Sequence, residues 1–451
     1  MMMTKSFKVG MAMALLCLLA FSPLAAIAQE ALPTAAAAPS AVPAAKIDTG
    51  DTAWMLISTA LVMLMTPALA LFYGGMVRRK NVLGTIMHSF IAVALISVQW
   101  VLIGYSLAFG PDIKGIIGSL SWAGLSDVGL APNVDYAPTI PHLLFMAYQM
   151  MFAVITPALI SGAFAERMKF SAFIVFTLAW TTLVYDPAAH WIWGVGGWLR
   201  NLGALDFAGG IVVHATSGFS ALAAALYIGK RKGFLQENMP PHNLPMTVLG
   251  AGLLWFGWFG FNAGSALSSG TLAVMAFVTT NTAAASGTLT WIAVEWFHRG
   301  KPTMFGAATG CIAGLATITP AAGFVGPMPA LFIGCAAGAL CYIALNAKAK
   351  FGYDDSLDAF GVHGVGGVLG TLMAGLFASL AINSAGANGL FFGNPKQLLI
   401  QAGAVVFVAA YSFIVSIVLL KIIDKVIGLR VDKDQETEGL DLTQHGETGY
   451  Q

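Results

Sequence analysis

Long apolar stretches follow one another down this chain, and basic residues collect in every second gap between them. A helix needs about 20 consecutive apolar residues to cross the hydrocarbon of a bilayer. Stretches of that kind lie at approximately 52–76, 82–109, 141–164, 170–196, 207–229, 244–266, 271–298, 303–320, 325–347, 358–382 and 397–424. They predict eleven membrane-spanning helices in an all-α integral membrane protein. The composition agrees: 57% of residues are hydrophobic and 10% are charged, too little charge to cover a surface in water. The formal net charge of +1 gives no footprint for nucleic acid.

The charged gaps set the orientation. Arg78, Arg79 and Lys80 follow the first stretch, Arg167 and Lys169 the third, and Lys230, Arg231 and Lys232 the fifth. Arg299 and Lys301 follow the seventh, Lys348 and Lys350 the ninth, and Lys425, Arg430 and Lys433 the last. The other gaps hold only Lys114, Arg200 and Lys396. Positive charge stays on the cytoplasmic side. The expectation is therefore an N-terminus outside, a C-terminus in the cytoplasm and an odd number of crossings.

Before the first span, Lys5 and Lys8 precede an apolar run from Met11 to about Leu24, which ends in Ala26-Ile27-Ala28. That pattern predicts a cleaved signal peptide over 1–28; an uncleaved extra helix is the alternative. An Ala/Pro-rich external segment, expected to be disordered, follows over 29–51. The membrane domain is expected over 52–424 and a cytoplasmic tail over 425–451. Cys17, Cys311, Cys335 and Cys341 are scattered in apolar runs without CxxC spacing, so they are expected to pack rather than to form disulfides or bind metal.

Two histidines lie inside apolar stretches. His214 follows Asp206 in DFAGGIVVH, and His363 follows Asp358 in DAFGVH. The two matches suggest a five-plus-five inverted repeat, a design that puts the transport site at the midplane between repeats. One intramembrane histidine is as readily a helix-to-helix hydrogen bond as a pathway residue. Two at matching places favour a shared pore. No carboxylate or cysteine stands at ligand spacing from them, so zinc is not expected. Asp206, at the start of its helix, is expected to cap it.

Aromatic residues accompany them. Trp258, Phe261 and Ser265 are spaced i, i+3, i+7, and Tyr148 and Phe152 i, i+4, so each set shares a helical face. Trp193 stands near the outer end of the fourth stretch. Such aromatics are ordinarily interfacial anchors. Here they also fit an outer site for a small cation, which gains about 0.5–2 kcal/mol over an indole face.

The runs GALDFAGGIVVH, PHNLPMTVLGAGLLWFGWFGFNAGSA and DAFGVHGVGG, with the tail GLRV…EGLD…HGE, resemble the ammonium transporter (Amt) family within the Amt/Mep/Rh superfamily, and its bacterial Amt branch in particular. The resemblance runs from about residue 52 to the tail. It implies a homotrimer in the bacterial inner membrane with one pore in each subunit. It implies an outer recruitment site of Trp193, Ser265 and Tyr148, where Tyr148 stands in a position often held by Phe and brings a hydroxyl near the cation. It implies a gate of Phe152 and Phe261, twin pore histidines His214 and His363, an essential vestibule aspartate at Asp206, and pore-associated Trp258 and Thr319. The tail from about Gly428 resembles a segment that contacts neighbouring subunits and helps dock a PII signalling protein. A disordered acidic end is the plain alternative for that tail.

Selectivity supplies a mechanism. Ammonium and potassium carry the same charge and similar size, but only ammonium has a proton to give. A neutral passenger also avoids the cost of a bare charge at mid-membrane. Binding the cation outside, stripping its proton and passing ammonia therefore selects chemically, and separate proton transfer would make transport electrogenic. A neutral gas channel of the Rh type and an ammonium sensor acting through partners are the rival readings. No nucleophile elbow, phosphate loop or metal-ligand spacing supports an enzyme, and no cofactor is implied.

Overall fold

The computed structural model describes residues 46–450. The expected signal peptide, Cys17 and most of the expected external segment lie outside the described residues. Among the described residues ten helices are long and apolar enough to cross a membrane. They are α1 (Thr49–Met76), α2 (Arg79–Phe109), α3 (His142–Phe164), α4 (Phe170–Leu202), α5 (Gly210–Ile228), α6 (Leu244–Ala266) and α7 (Thr271–Arg299), then, after a shorter helix α8 (Met304–Ile318), α9 (Pro327–Phe351), α10 (Phe360–Phe377) and α11 (Pro395–Ile427).

Local chemistry sets many of these bounds. The first helix starts three residues ahead of the expected 52 because the Asp48 carboxylate accepts the Asp51 N–H at 2.9 Å. Asn243 and Thr303 cap α6 and α8 in the same way, accepting from Met246 at 3.0 Å and Gly306 at 2.9 Å. The α7 and α9 helices end on left-handed glycines, Gly300 and Gly352. At 15 residues α8 spans only about 22 Å. Pro320, which cannot donate the next helical hydrogen bond, turns the chain out of the stretch expected to run to 320.

Large apolar side chains cover the outside of the bundle. Phe297 is 93% exposed, Val426 74% and Met328 73%. In water such a surface would aggregate; in lipid it is the solvated one.

The gaps sort to two ends. Between α2 and α3 a hairpin of β1 (Asp112–Ile113) and β2 (Ile117–Gly118) belongs to one end. At the other end the basic gaps are cross-linked by ions. The Glu166 carboxylate, after α3, pairs with Arg78, after α1, at 2.9 Å and with Arg231, after α5, at 3.2 Å. Arg231 also pairs with Asp354, after α9, at 2.8 Å. Buried Arg167 donates to the carbonyls of Gly229, Ala163 and Asp354.

The tail is ordered against this end. Leu429 and Val431 pair backbone to backbone with Lys169 and Arg167 at 2.8 and 3.1 Å. Two short helices follow, α12 (Lys433–Glu438) and α13 (Leu440–His445). Glu436 accepts from Arg430 at 2.7 Å and from the Lys232 N–H at 2.7 Å. Asn81 receives the Leu440 N–H at 2.8 Å, and Asp441 receives that of Gly84 at 2.8 Å. The tail is thus a packed clasp over the α1–α2 and α5–α6 gaps of its own chain, not a loose acidic end.

Candidate functional site

Among the described residues five spans contain a π-helical turn, at Trp100–Gly104 of α2 and Thr181–Tyr185 of α4 and at three places that bear on the site. Residues Gly210–Ala215 of α5, Phe259–Ala263 of α6 and Phe360–Gly364 of α10 form π-helical turns. Each carries one expected pathway residue: His214, Phe261 and His363. A π turn adds a residue to the helical circuit and re-aims side chains, and such turns gather at functional sites. It also means that the ideal i, i+3, i+7 face drawn through Trp258, Phe261 and Ser265 does not persist through α6. The three still reach one path, with Ser265 turned back so that its Oγ donates to the Phe261 carbonyl at 2.8 Å.

The two histidines meet. Their rings are stacked with centroids 5.2 Å apart and planes 18° apart, and the two Nδ1 atoms are 3.2 Å from each other. One Nδ1 must be a donor and the other an acceptor, so at most one of the two carries a proton on this contact. The His214 Nε2 is buried with no hydrogen-bond partner among the described residues. Glycine makes the approach possible: a Cβ on Gly218 of α5 would lie 2.1 Å from the backbone nitrogen of Gly364 of α10.

Aromatic rings continue the column. Phe261 lies 6.1 Å from His214 and Phe152 lies 4.3 Å from Phe261, centroid to centroid. Trp193 stands edge-on to Phe152 at 6.0 Å. Trp258 stacks on His214 at 5.5 Å and is fixed by its Nε1, which donates to Thr319 Oγ1 at 3.0 Å. Thr319 passes its own proton to the Leu315 carbonyl at 2.8 Å. His214, His363, Trp258 and Phe261 line a cavity of about 10 Å³. That is about one water-sized probe.

Beyond Phe152 the path widens into a vestibule of about 250 Å³, at the end opposite the tail. Phe152, Trp193, Asp206, Ser265, Asp135 and Arg200 are among its lining residues. Trp193 and Ser265 therefore line one cavity.

Tyr148 departs from expectation. It is fully buried, and its hydroxyl lies 2.9 Å from the carbonyls of both Gly260 and Phe261 and 3.2 Å from Ser265 Oγ. The hydroxyl braces the π turn, adding to the bonds these carbonyls already accept from the Gly264 N–H and Ser265 Oγ, instead of facing the vestibule. Asp206 is the expected cap. One carboxylate oxygen accepts the N–H groups of Gly209 and Gly210 at 2.8 and 2.6 Å, and the other those of Ile211 and Val212 at 2.8 and 3.0 Å. Four donors occupy it, so it shapes the vestibule without presenting a free carboxylate to a ligand.

The match drawn between Asp206 and Asp358 is corrected. Asp358 pairs with Lys348. The carboxylate that caps α10 is that of Asp355, which accepts from Ala359 at 3.1 Å and Phe360 at 2.8 Å. Asp355 stands eight residues before His363, as Asp206 stands eight before His214. That equal spacing was the signal available in the sequence. Among the described residues no group of three or more His, Cys, Asp or Glu could hold a metal ion.

The chain as a whole has known relatives. A profile described as the Ammonium Transporter Family matches residues 53–450. An ammonium transporter of Bacillus subtilis is 55% identical over 403 residues, which cover 89% of this chain and 98% of that one. The ammonium transporter Amt1 of Archaeoglobus fulgidus is 51% identical, with 89% and 99% covered. The crystal structure of Candida albicans Mep2 superimposes with a TM-score of 0.83 at 39% identity, covering 90% of this chain and 91% of that one. With these relatives and this fold, the chain belongs to the ammonium transporter family and is a multi-pass membrane protein.

Proposed function

We propose that this transporter receives ammonium in the vestibule, removes its proton and conducts ammonia past the Phe152–Phe261 pair and along the two histidines, with the proton crossing separately so that transport is electrogenic. The observation that carries this reading is the continuous column from Trp193 through Phe152 and Phe261 to His214 and His363, with its cavity of about 10 Å³. A hydrated ion does not fit such a space. Ammonia does, and the partnerless His214 Nε2 offers it a hydrogen bond. The Nδ1 to Nδ1 contact joins the two rings, which suits them to pass a proton on.

The vestibule recruits the cation through the indole of Trp193 and the hydroxyl of Ser265. Tyr148 and Asp206 act by position: the first holds the π turn of Phe261, the second that of His214. Trp258 and Thr319 hold the wall beside His214. The vestibule faces outward and the basic end lies in the cytoplasm of a bacterial inner membrane, with α8 completing eleven crossings and α1–α5 related to α6–α10 by inversion. Three copies form the working unit, and the folded tail is the cytoplasmic surface on which a PII-type protein docks.

The test is the current evoked by an ammonium pulse on proteoliposomes holding the purified protein, with potassium as control. A current with ammonium and none with potassium supports the scheme. Ammonium uptake without current from folded protein removes the proton route and leaves neutral ammonia conduction.

A further inference from the structure

The vestibule receives a cation yet contains a fixed positive charge. Arg200 lines the same cavity as Trp193 and Ser265, and its guanidinium donates to the carbonyl of Trp193. The charged groups lining that cavity are Asp135, Asp206 and Arg200. Two carboxylates and one guanidinium leave a net charge of −1 at the mouth. Without Arg200 the mouth would carry −2, the better trap for any cation. A residue that weakens attraction for the substrate calls for an explanation beyond binding strength.

Charge number provides one. The energy of an ion in a fixed potential scales with the ion's charge, so the guanidinium opposes a divalent cation twice as strongly as a monovalent one. In binding constants that factor of two becomes a square. We infer that Arg200 is a valence filter, which lowers the affinity of the vestibule for ammonium modestly and its affinity for divalent cations by about the square of that factor, so that divalent ions do not occupy the recruitment site. The inference rests on the cation-recruiting reading of the vestibule. Its position suits the role: the bond to the Trp193 carbonyl ties the charge to the segment that carries the recruiting indole. Arg200 is exposed, so its field is open to screening by salt.

The test uses the full-length protein in proteoliposomes, with ammonium uptake measured at fixed ionic strength while Mg2+ replaces Na+ outside. Arg200→Gln is expected to lower the apparent KM for ammonium by roughly two- to tenfold. It is also expected to become sensitive to Mg2+ at concentrations that leave the wild type unchanged. Arg200→Lys keeps the charge and is expected to follow the wild type in both respects. The difference between wild type and Arg200→Gln should shrink toward 1 M salt, where charges are screened within about 3 Å. An unchanged KM and unchanged Mg2+ response in Arg200→Gln overturn the inference. So does an Arg200→Lys protein that behaves like Arg200→Gln, because the bond to Trp193 and not the charge would then matter. A wild type that takes up no ammonium fails at an earlier step, the transport reading itself, and is told apart by that.

Discussion

The indole Nε1 of Trp193 donates to the backbone carbonyl of Asp206 at 2.8 Å, while the carboxylate of the same Asp206 accepts the four N–H groups that open the His214 turn. One residue thus positions both the Trp193 indole of the vestibule and the first histidine of the column. Asp206→Ala leaves four buried donors without an acceptor and should destabilise the fold by more than about 3 kcal/mol. Trp193→Phe loses one hydrogen bond and should cost about 1 kcal/mol while keeping an aromatic face. Melting temperatures in detergent, read beside ammonium uptake, check the order. An Asp206→Ala protein with wild-type stability and uptake would remove the cap from the scheme.

The contact between His214 and His363 depends on Gly218 lying against Gly364. Gly218→Ala puts a methyl group where the α10 backbone runs, so the helices must part. Ammonium current should fall at least tenfold with the protein still folded. Replacing both histidines by alanine should abolish the potassium-excluding ammonium current; a selective current of wild-type size in that variant would take the histidines out of the proton route.

Thr319 links Trp258 to α8. Thr319→Val removes the acceptor and strands a buried indole N–H, which should cost about 1–3 kcal/mol. Thr319→Ser keeps the oxygen and should stay near wild type in melting temperature and uptake. Equal losses in the two variants would mean that the methyl group, not the hydroxyl, matters.

Acid should loosen the basic end. Burial raises the Glu166 carboxyl, but Arg231 and Arg78 outweigh it and hold the group below its ordinary 4.5. Asp354 is likewise raised by burial and carried below its ordinary 3.8 by its bonds to Arg231 and the charge of Arg167. A carboxyl lowered on folding stabilises fully above its unfolded value, and that stability is lost as pH falls through the folded one. The contribution of these two carboxyls to the melting temperature should therefore be constant from pH 7 to about 5 and be lost below about 4.5, the ordinary value for a Glu. Glu166→Gln should start lower, by about 1–3 kcal/mol, and show a shallower fall. An identical acid profile in that variant would place the sensitivity elsewhere.

The clasp of the tail turns on Gly439, whose φ is +120° and where an added Cβ would lie 2.6 Å from the Lys80 carbonyl. Gly439→Ala and truncation after Ile427 should each free the α1–α2 gap, read as faster proteolysis there. Retention of a PII protein on immobilised transporter should drop in both. Undiminished retention by the truncated protein would remove the tail from that partnership.

The apolar stretches placed nearly every helix, because the need to satisfy backbone groups in lipid is local and is written in residue type. The alternation of basic gaps marked, in advance, the end where Arg78, Glu166, Arg231 and Asp354 interlock. The residues of the column were legible too, since histidines and paired aromatics are conspicuous in an apolar stretch.

What the sequence by itself determined is therefore the class of fold, the two ends and which conspicuous side chains lie inside the apolar stretches. Tertiary structure decided the rest. It made Asp355 and not Asp358 the counterpart of Asp206, because Lys348 claims Asp358. It turned the Tyr148 hydroxyl onto the carbonyls of Gly260 and Phe261, each of which accepts a second hydrogen bond there. It closed the tail onto Asn81 and Gly84. Each of these is a choice of hydrogen-bond or ion-pair partner. Such choices depend on which groups the folded bundle brings within about 3 Å of one another, and a residue type carries no record of them.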